Sequence, residues 1–216
     1  MRLVKFEHSC VRVESDAAVL VIDPGTLTSR AALDGVDAVL ITHEHADHLN
    51  VDMLADELGK RPEVRIFTHT AVAEKIRPLA EIVTTVTAGQ RFEAAGFAVR
   101  TYGGWHAEIH PDIPSVPNLG YLVDDLLYHP GDSFDVPPEV TVDTLFVPIS
   151  APWLKSSESI EFVRAVAPRR AFALHDGLLN DVGLTIVDGL LQRLIGPAYQ
   201  RLATGAAVPL GRSAKD

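Results

Sequence analysis

The sequence predicts an α/β protein in which β-sheets are covered by helices, and three observations support this fold class. Short runs rich in Val, Ile and Leu alternate with segments whose apolar residues recur at helical spacing. Proline or glycine ends several of these segments. The chain has 216 residues, enough for one domain with a buried core. We predict a single domain over residues 1–216, because the proline-rich stretch Pro111–Pro117 is too short for an interdomain linker.

Strands dominate the first part of the chain. The predicted strands are Leu3–Glu7, Val11–Glu14, Ala18–Ile22 and Ala38–Ile41. Asp23-Pro24-Gly25 ends the third strand, since proline removes a hydrogen-bond donor and glycine allows a turn. Asn50 is placed to cap a helix that runs to about Leu58, and Gly59 ends it.

Strands and helices alternate in the rest of the chain. The predicted strands are Val64–Thr68, Ile82–Val86, Phe97–Tyr102, Thr144–Val147 and Arg170–Leu174, and the predicted helices are Thr70–Ile76, Ser156–Ala167 and Leu184–Ile195. Tyr121–Val123 and Leu126–Tyr128 flank Asp124-Asp125, a pattern typical of a hairpin. This order predicts sheets in the middle of the molecule and helices outside.

Composition excludes several classes of function. The formal net charge of −10 argues against a protein built to bind nucleic-acid phosphates. The one cysteine, Cys10, excludes an internal disulfide and cysteine-rich zinc or iron–sulfur sites. No apolar run reaches the ~18 residues of a membrane span, and the first residues lack the features of a signal peptide. We therefore expect a cytoplasmic protein without membrane or nucleic-acid partners, whose nine histidines need an explanation.

The histidines concentrate in Thr42–His48, directly after an apolar strand. Four potential metal ligands occur there within six residues, namely His43, His45, Asp47 and His48. A helix would place the first two ~200° apart, and an extended strand would turn His48 away from the others. A strand end that curls into the Asn50 helix can gather all four. Without a ligand these groups would lose hydration and gain nothing, so the pattern predicts a metal site.

Three later segments place a histidine or aspartate after a predicted strand. His106 follows Gly103-Gly104, Asp132 follows the second hairpin strand, and His175 follows Arg170–Leu174. Each of these alone is also compatible with an ordinary turn. Together with the cluster they predict a site at the carboxyl ends of several strands. Imidazole and carboxylate donors suit Zn²⁺, and Mn²⁺ or Fe would also accept them.

At these residues the chain resembles the metallo-β-lactamase superfamily. Thr42–His48 matches its signature Thr/Ser-His-x-His-x-Asp-His without a gap, and Val21–Gly25 resembles the strand and aspartate that precede the signature. The three later residues follow in the order of the family's later motifs. Glu7–Cys10 and Tyr128–Ser133 are most similar to the small stand-alone hydrolases of the ascorbate-6-phosphate-lactonase-like branch.

The resemblance implies a four-layer αββα sandwich with two metal ions at one edge. By the family pattern, the first ion would be held by His43, His45 and His106 and the second by Asp47, His48 and His175, with Asp132 bridging them. Seven protein ligands for two ions leave positions open for water, as catalysis requires.

The implied activity is that of a metal-dependent hydrolase. Two ions would share a hydroxide that attacks a small, anionic ester, lactone or phosphodiester, and Asp47 would orient the water and relay a proton. A di-iron oxidoreductase and a non-catalytic metal-binding scaffold are the alternatives on the same fold. The expected partner is a small-molecule substrate, and a homo-oligomer stays open.

Five other residues are candidates for contacts to substrate or to the metal ligands. His8 is equally compatible with a satisfied buried histidine, and His110 and Lys155 with solvated side chains. Asp176 could orient a metal-binding imidazole, and Asp23 could do the same for the histidine cluster.

Overall fold

Two mixed β-sheets of seven strands each form the centre of the structure, a computed structural model that describes residues 1–211. The strands are β1 (Arg2–Lys5), β2 (Val11–Glu14), β3 (Val19–Ile22), β4 (Ala38–Leu40), β5 (Arg65–Thr68), β6 (Val83–Thr85), β7 (Arg91–Ala94), β8 (Phe97–Trp105), β9 (Pro117–Val123), β10 (Leu127–His129), β11 (Thr144–Pro148), β12 (Arg170–Leu174), β13 (Tyr199–Gln200) and β14 (Ala207–Pro209). The helices are α1 (Val51–Leu58), α2 (Thr70–Lys75), α3 (Ser156–Val166) and α4 (Asp181–Ile195). Short 3₁₀ helices cover Arg30–Leu33, Arg77–Ile82 and Asp176–Leu178.

The two sheets repeat one arrangement of strands. The first sheet has the order β14-β1-β2-β3-β4-β5-β6, and the second has the order β13-β12-β11-β10-β9-β8-β7. In the first sheet the pairs from β14 to β3 are antiparallel and those from β3 to β6 are parallel. In the second sheet β7 to β10 pair antiparallel and β10 to β13 parallel. Each sheet therefore has one edge at which several strands end in the same direction.

Three apolar clusters show that the layers are stacked in the predicted order. Residues of both sheets, such as Leu20, Tyr121 and Phe146, form the central core. The outer face of the first sheet packs against α1, whose Met53, Leu54 and Leu58 are buried. The outer face of the second sheet packs against α3 and α4 through Phe162, Val163 and Leu191. The four-layer αββα sandwich is confirmed, and each fully buried large side chain contributes about 1.5–3 kcal/mol to it.

Local signals in the sequence account for several element boundaries. The Asn50 side chain accepts a hydrogen bond from the Met53 backbone N–H at 3.0 Å, and α1 ends at Gly59 as predicted. Asp124 and Asp125 both adopt left-handed backbone angles between β9 and β10, which is the geometry of a tight hairpin turn.

Some elements differ from the sequence prediction. Strand β8 continues beyond Tyr102 through both glycines to Trp105, because it stays paired with β9 along that length. Helix α4 begins at Asp181 rather than Leu184, since the Asn180 side chain caps it. Strands β7, β13 and β14 are short strands at sheet edges with little apolar patterning, and the sequence does not predict them. None of the helices within residues 1–211 is long and apolar enough to cross a membrane.

Candidate metal centre

The carboxyl ends of five strands converge at one edge of the sandwich and carry the predicted ligands. Strand β4 leads into the histidine cluster and β3 into Asp23, while β8, β10 and β12 precede His106, Asp132 and His175. All seven predicted metal ligands lie together there. The geometry follows from the topology, because parallel strands of one sheet end on the same side.

The side chains form two groups, each with ligand atoms within 4.8 Å of one another. We call them the first group and the second group. The first group comprises His43, His45, His106 and Asp132, and the second comprises His8, Asp47, His48 and His175. The second group contains His8 beside the three predicted ligands, so a residue from the first strand's end enters the site.

Asp132 lies between the two groups. Its Oδ1 is 2.8 Å from His175 Nε2 and 3.1 Å from His48 Nε2. Its Oδ2 is 3.2 Å from His106 Nε2 and accepts a hydrogen bond from Trp153 Nε1 at 3.0 Å. One carboxylate thus presents one oxygen to each group, which is the arrangement of a bridging ligand.

The donor atoms fit divalent cations. His48 Nε2 lies 2.7 Å from His175 Nε2, and His43 Nε2 lies 3.1 Å from His45 Nδ1. Two neutral imidazole nitrogens at such distances need a proton or a cation between their lone pairs. Asp132 Oδ1 is buried and has no hydrogen-bond partner, although such an atom is normally satisfied. A cation in each group would satisfy these atoms together.

Outer contacts fix the orientation of two imidazoles of the cluster. Asp23 Oδ2 lies 2.6 Å from His48 Nδ1 and accepts a hydrogen bond from Thr42 Oγ1 at 2.7 Å. Asp23 Oδ1 accepts the Thr42 backbone N–H at 2.8 Å. Thr42 Oγ1 also lies 3.0 Å from His43 Nδ1. Both rings therefore direct Nε2 to the centre, and Asp23 makes the contact that an orienting residue would make.

Backbone carbonyls do the same for the two later histidines. His106 Nδ1 lies 2.5 Å from the Ala107 carbonyl oxygen, and His175 Nδ1 lies 3.2 Å from the Ser150 carbonyl oxygen. A carbonyl can only accept, so each Nδ1 carries the proton and each Nε2 keeps its lone pair. This is the tautomer that binds a metal through Nε2.

The surroundings shift the pKa values of two histidines in opposite directions: burial favours the neutral form of His43, whereas Asp132 and Asp23 outweigh burial at His48 and raise its pKa well above the usual range. Burial and the neighbouring His48 lower the pKa of His43 well below its usual range. Burial alone would raise the pKa of Asp132, but His175 and His48 hold it well below its ordinary value. The pKa of Asp47 is likewise lowered, because His8 and the neighbouring histidines outweigh its partial burial. The two ionised carboxylates and the neutral His43 therefore offer negative charge and a lone pair to a cation at neutral pH, and a cation in the second group would take the place of the proton on His48.

Glycine allows the backbone to pack tightly behind the cluster. A Cβ on Gly25 would lie 2.0 Å from the Asp47 carbonyl oxygen and 2.6 Å from the His48 nitrogen. A Cβ on Gly131, which has a φ of +63°, would lie 2.2 Å from Asn118 Oδ1. Neither position has room for a side chain, so the loops that carry Asp47 and Asp132 depend on these glycines.

The structure places the other candidate residues as follows. His8 is fully buried and its Nε2 lies 3.0 Å from Asp47 Oδ2. Asp176 Oδ1 accepts a hydrogen bond from Lys5 Nζ at 3.2 Å and does not contact an imidazole as predicted, because the Ser150 carbonyl oxygen lies at Nδ1 of His175. His110 is exposed beside Asp112, away from both groups. Lys155 is exposed at the start of α3.

Sequence reasoning missed three residues that contact the site. Ser9 Oγ donates to the Asp47 carbonyl oxygen at 2.6 Å, and Asn118 Oδ1 accepts the Asp132 backbone N–H at 3.0 Å. Lys5, with 1% exposure, donates to the His8 carbonyl oxygen at 2.8 Å. Ser9 adjoins a candidate histidine, but Asn118 lies within a strand and Lys5 at a strand end, where polar residues give no signal of a site.

Sequence comparison relates the chain to proteins with this arrangement. The chain matches the family described as the beta-lactamase superfamily domain over residues 2–175. Protein Rv0786c of Mycobacterium tuberculosis is 37% identical over 214 residues, which cover 96% of this chain and 99% of that protein. A UPF0173 metal-dependent hydrolase of Methanopyrus kandleri is 28% identical, covering 82% of this chain and 84% of its own. The relationship to the ascorbate-6-phosphate-lactonase-like branch stays a prediction.

Solved structures share the same fold at low identity. A metallo hydrolase from Ignicoccus hospitalis superposes with a TM-score of 0.73 at 18% identity, covering 96% of this chain and 97% of that one. CmlA, a diiron beta-hydroxylase from Streptomyces venezuelae, has a TM-score of 0.76 at 18% identity, but the match covers only 53% of its chain. Fold, signature residues and family match agree, and the chain belongs to the beta-lactamase superfamily domain family.

Proposed function

We propose that this chain is a metal-dependent hydrolase that holds two divalent ions, one in each group, with Asp132 shared between them. The observation that carries the proposal is the position of Asp132, whose two oxygens face His175 and His106 from one carboxylate. The name of the Methanopyrus kandleri relative as a metal-dependent hydrolase supports the reaction class.

The ligands in this proposal are the seven predicted from the sequence. His43, His45 and His106 would hold the first ion, and Asp47, His48 and His175 the second, with Asp132 bridging. Nitrogen donors outnumber oxygen donors, which favours Zn²⁺, although Mn²⁺ and Fe²⁺ accept the same set. His8 is the additional member of the second group. Its Nε2 would donate to Asp47 Oδ2, which holds that carboxylate in place.

Bound ions would lower the pKa of a water molecule from ~15.7 toward ~7 and so supply hydroxide near neutral pH. We assign to Asp47 the role of orienting that water, because its side chain is 29% exposed while one oxygen contacts His8. A partly exposed carboxylate can also pass a proton to solvent. Trp153 Nε1 donates to Asp132 Oδ2 and thereby limits rotation of the bridging carboxylate.

A groove of about 430 Å³ is lined by Trp153, whose Nε1 contacts Asp132, and would receive the substrate. Trp153 and Phe134 form its apolar wall, and Lys155 is its cation. Glu108 and Glu158 also line the groove, so most of the positive charge that selects an anion would come from the ions. The volume suits a small molecule, and we propose an anionic ester, lactone or phosphodiester as the substrate class.

The test is hydrolysis by protein loaded separately with zinc, manganese and iron, against a panel of lactones, carboxylic esters and phosphodiesters. We expect multiple turnovers on at least one class, and we expect Asp132→Asn to lower kcat/KM by at least ~100-fold. Asp143→Asn is the matched control. Its carboxylate is also buried but pairs with Arg169, away from both groups, so activity should be retained.

Three outcomes would overturn the proposal. Loaded protein that hydrolyses no member of the panel would leave a metal-binding scaffold as the better description. Oxidative turnover confined to the iron form would favour the di-iron oxidoreductase. Full activity in the Asp132→Asn variant would show that the two groups are not the reacting centre.

A further inference from the structure

Lys5 is a buried lysine whose ammonium group is fully hydrogen-bonded. Its side chain is 1% exposed, and Nζ donates to the carbonyl oxygens of Phe6 at 2.5 Å and His8 at 2.8 Å. The third acceptor is Asp176 Oδ1 at 3.2 Å. Three N–H donors thus meet three acceptors, one of them charged. Lysine is rarely buried unless it is paired, so this cation is held by its surroundings and in turn constrains them.

The three acceptors belong to two turns that come from different sheets. His8 lies in the turn after β1, and Asp176 begins the 3₁₀ helix after β12. The His8 carbonyl oxygen also accepts the His175 backbone N–H at 3.3 Å. A Cβ on Gly177 would lie 3.1 Å from the Cβ of His8, which shows how closely the turns approach. Lys5 therefore joins the two sheets at the edge that carries the site.

Both turns contain a histidine in a left-handed backbone conformation. The φ angles are +55° at His8 and +61° at His175. Such a conformation costs a non-glycine residue roughly 1–2 kcal/mol, so it persists only where surrounding contacts impose it. The two rings pack against each other with centroids 4.2 Å apart. Their positions in the second group depend on the turns that the Lys5 ammonium ties together.

We propose that Lys5 is a positioning residue for the second group. Through the His8 carbonyl it fixes the ring that contacts Asp47, and through Asp176 it fixes the turn that carries His175. It has no contact with the first group. The inference rests on the part of the proposed function that assigns one ion to each group, and it predicts that Lys5 affects only one of the two ions.

The test measures metal affinity without substrate, by competition with a chromophoric chelator. Two backgrounds separate the groups, because His45→Ala disables the first group and Asp47→Ala the second. Lys5→Met should weaken Zn²⁺ binding at least ~10-fold in the His45→Ala background and leave it unchanged in the Asp47→Ala background. A general loss of folding would weaken both equally, so the difference between backgrounds isolates positioning from mere stability.

Asp176→Asn is the second variant, because it keeps the size of the side chain and an acceptor oxygen for Lys5. We expect a smaller loss, about 3–10-fold, in the His45→Ala background alone, since a charge-assisted bond becomes a neutral one. If Lys5→Met does not fold by near-ultraviolet circular dichroism, this variant decides. Wild-type affinity in the folded variants would overturn the inference. Failure of the wild-type chain to bind any ion would instead refute the proposed function.

Discussion

Replacing Asp23 with asparagine should weaken metal binding in the second group while the protein stays folded. Asp23 is fully buried, and its Oδ1 accepts the Thr42 backbone N–H at 2.8 Å. That donor is fixed by the backbone, so an asparagine must turn its own oxygen toward it. The amide nitrogen would then face His48 Nδ1, which lies 2.6 Å from the present Oδ2.

This exchange of acceptor for donor changes the tautomer of His48. An amide N–H aimed at Nδ1 favours the imidazole whose proton is on Nε2, the atom that faces Asp132 and His175. The lone pair needed for the metal is then lost. Removal of such an outer contact typically lowers metal affinity 10–100-fold, or about 1.4–2.7 kcal/mol. Weaker hydrogen bonds should reduce the unfolding free energy by roughly 1–2 kcal/mol, less than the usual 5–15 kcal/mol of a domain.

The assay is the number of ions retained per chain after dialysis against a chelator of graded affinity. Wild-type protein should retain two ions under conditions in which Asp23→Asn retains one, because Asp23 contacts His48 of the second group directly and His43 of the first group only through Thr42. Asp37→Asn is the matched control. The carboxylate of Asp37 also accepts a backbone N–H, from Val19 at 2.8 Å, but it lies at the opposite end of β4. Two ions held by Asp23→Asn with affinities within ~2-fold of wild type would refute the tautomer argument.

Three further predictions follow from the packing and charge of individual residues. Gly25→Ala should abolish high-affinity metal binding, because the new Cβ would lie 2.0 Å from the Asp47 carbonyl oxygen. Gly189→Ala in α4 is the control: its Cβ would meet nothing within 4 Å, and the change should raise the free energy of unfolding by about 0.5–1 kcal/mol in urea titrations. Asp143→Asn should destabilise the protein by about 1–2 kcal/mol at neutral pH. Burial would raise the pKa of Asp143, but Arg169 and its other partners hold it below its ordinary value, so this difference from wild type should shrink only as the pH falls below ~4. Chelation should lower the melting temperature of wild-type protein, since each ion at 100 times its Kd adds about 2.7 kcal/mol, and an unchanged melting temperature would contradict ion binding by the folded state.

The part of the site that could be predicted from sequence is the part that is contiguous or follows a strand. Thr42–His48 is predictable because four metal-donor side chains follow one buried strand. His106, Asp132 and His175 are predictable because each lies shortly after the end of a strand. The outer partners are harder to predict. Asp23 follows a strand and was predicted, but the Ser150 and Ala107 carbonyls that orient two rings are backbone atoms, which sequence patterns cannot distinguish.

What sequence could not show is where the fold imposes unfavourable backbone angles on the site. His8, Asp23 and His175 all have positive φ, although glycine is the residue that usually signals this conformation. At roughly 1–2 kcal/mol each, the three cost about 3–6 kcal/mol, a large share of a domain's net stability. Each is held by a contact from a segment distant in the sequence: His175 at His8, Thr42 at Asp23, and the His8 carbonyl at His175. The contact between His8 and His175 exists only once both sheets have packed together. The strain is therefore concentrated where the ligands must converge, and the apolar core between the sheets supplies the stability that maintains it.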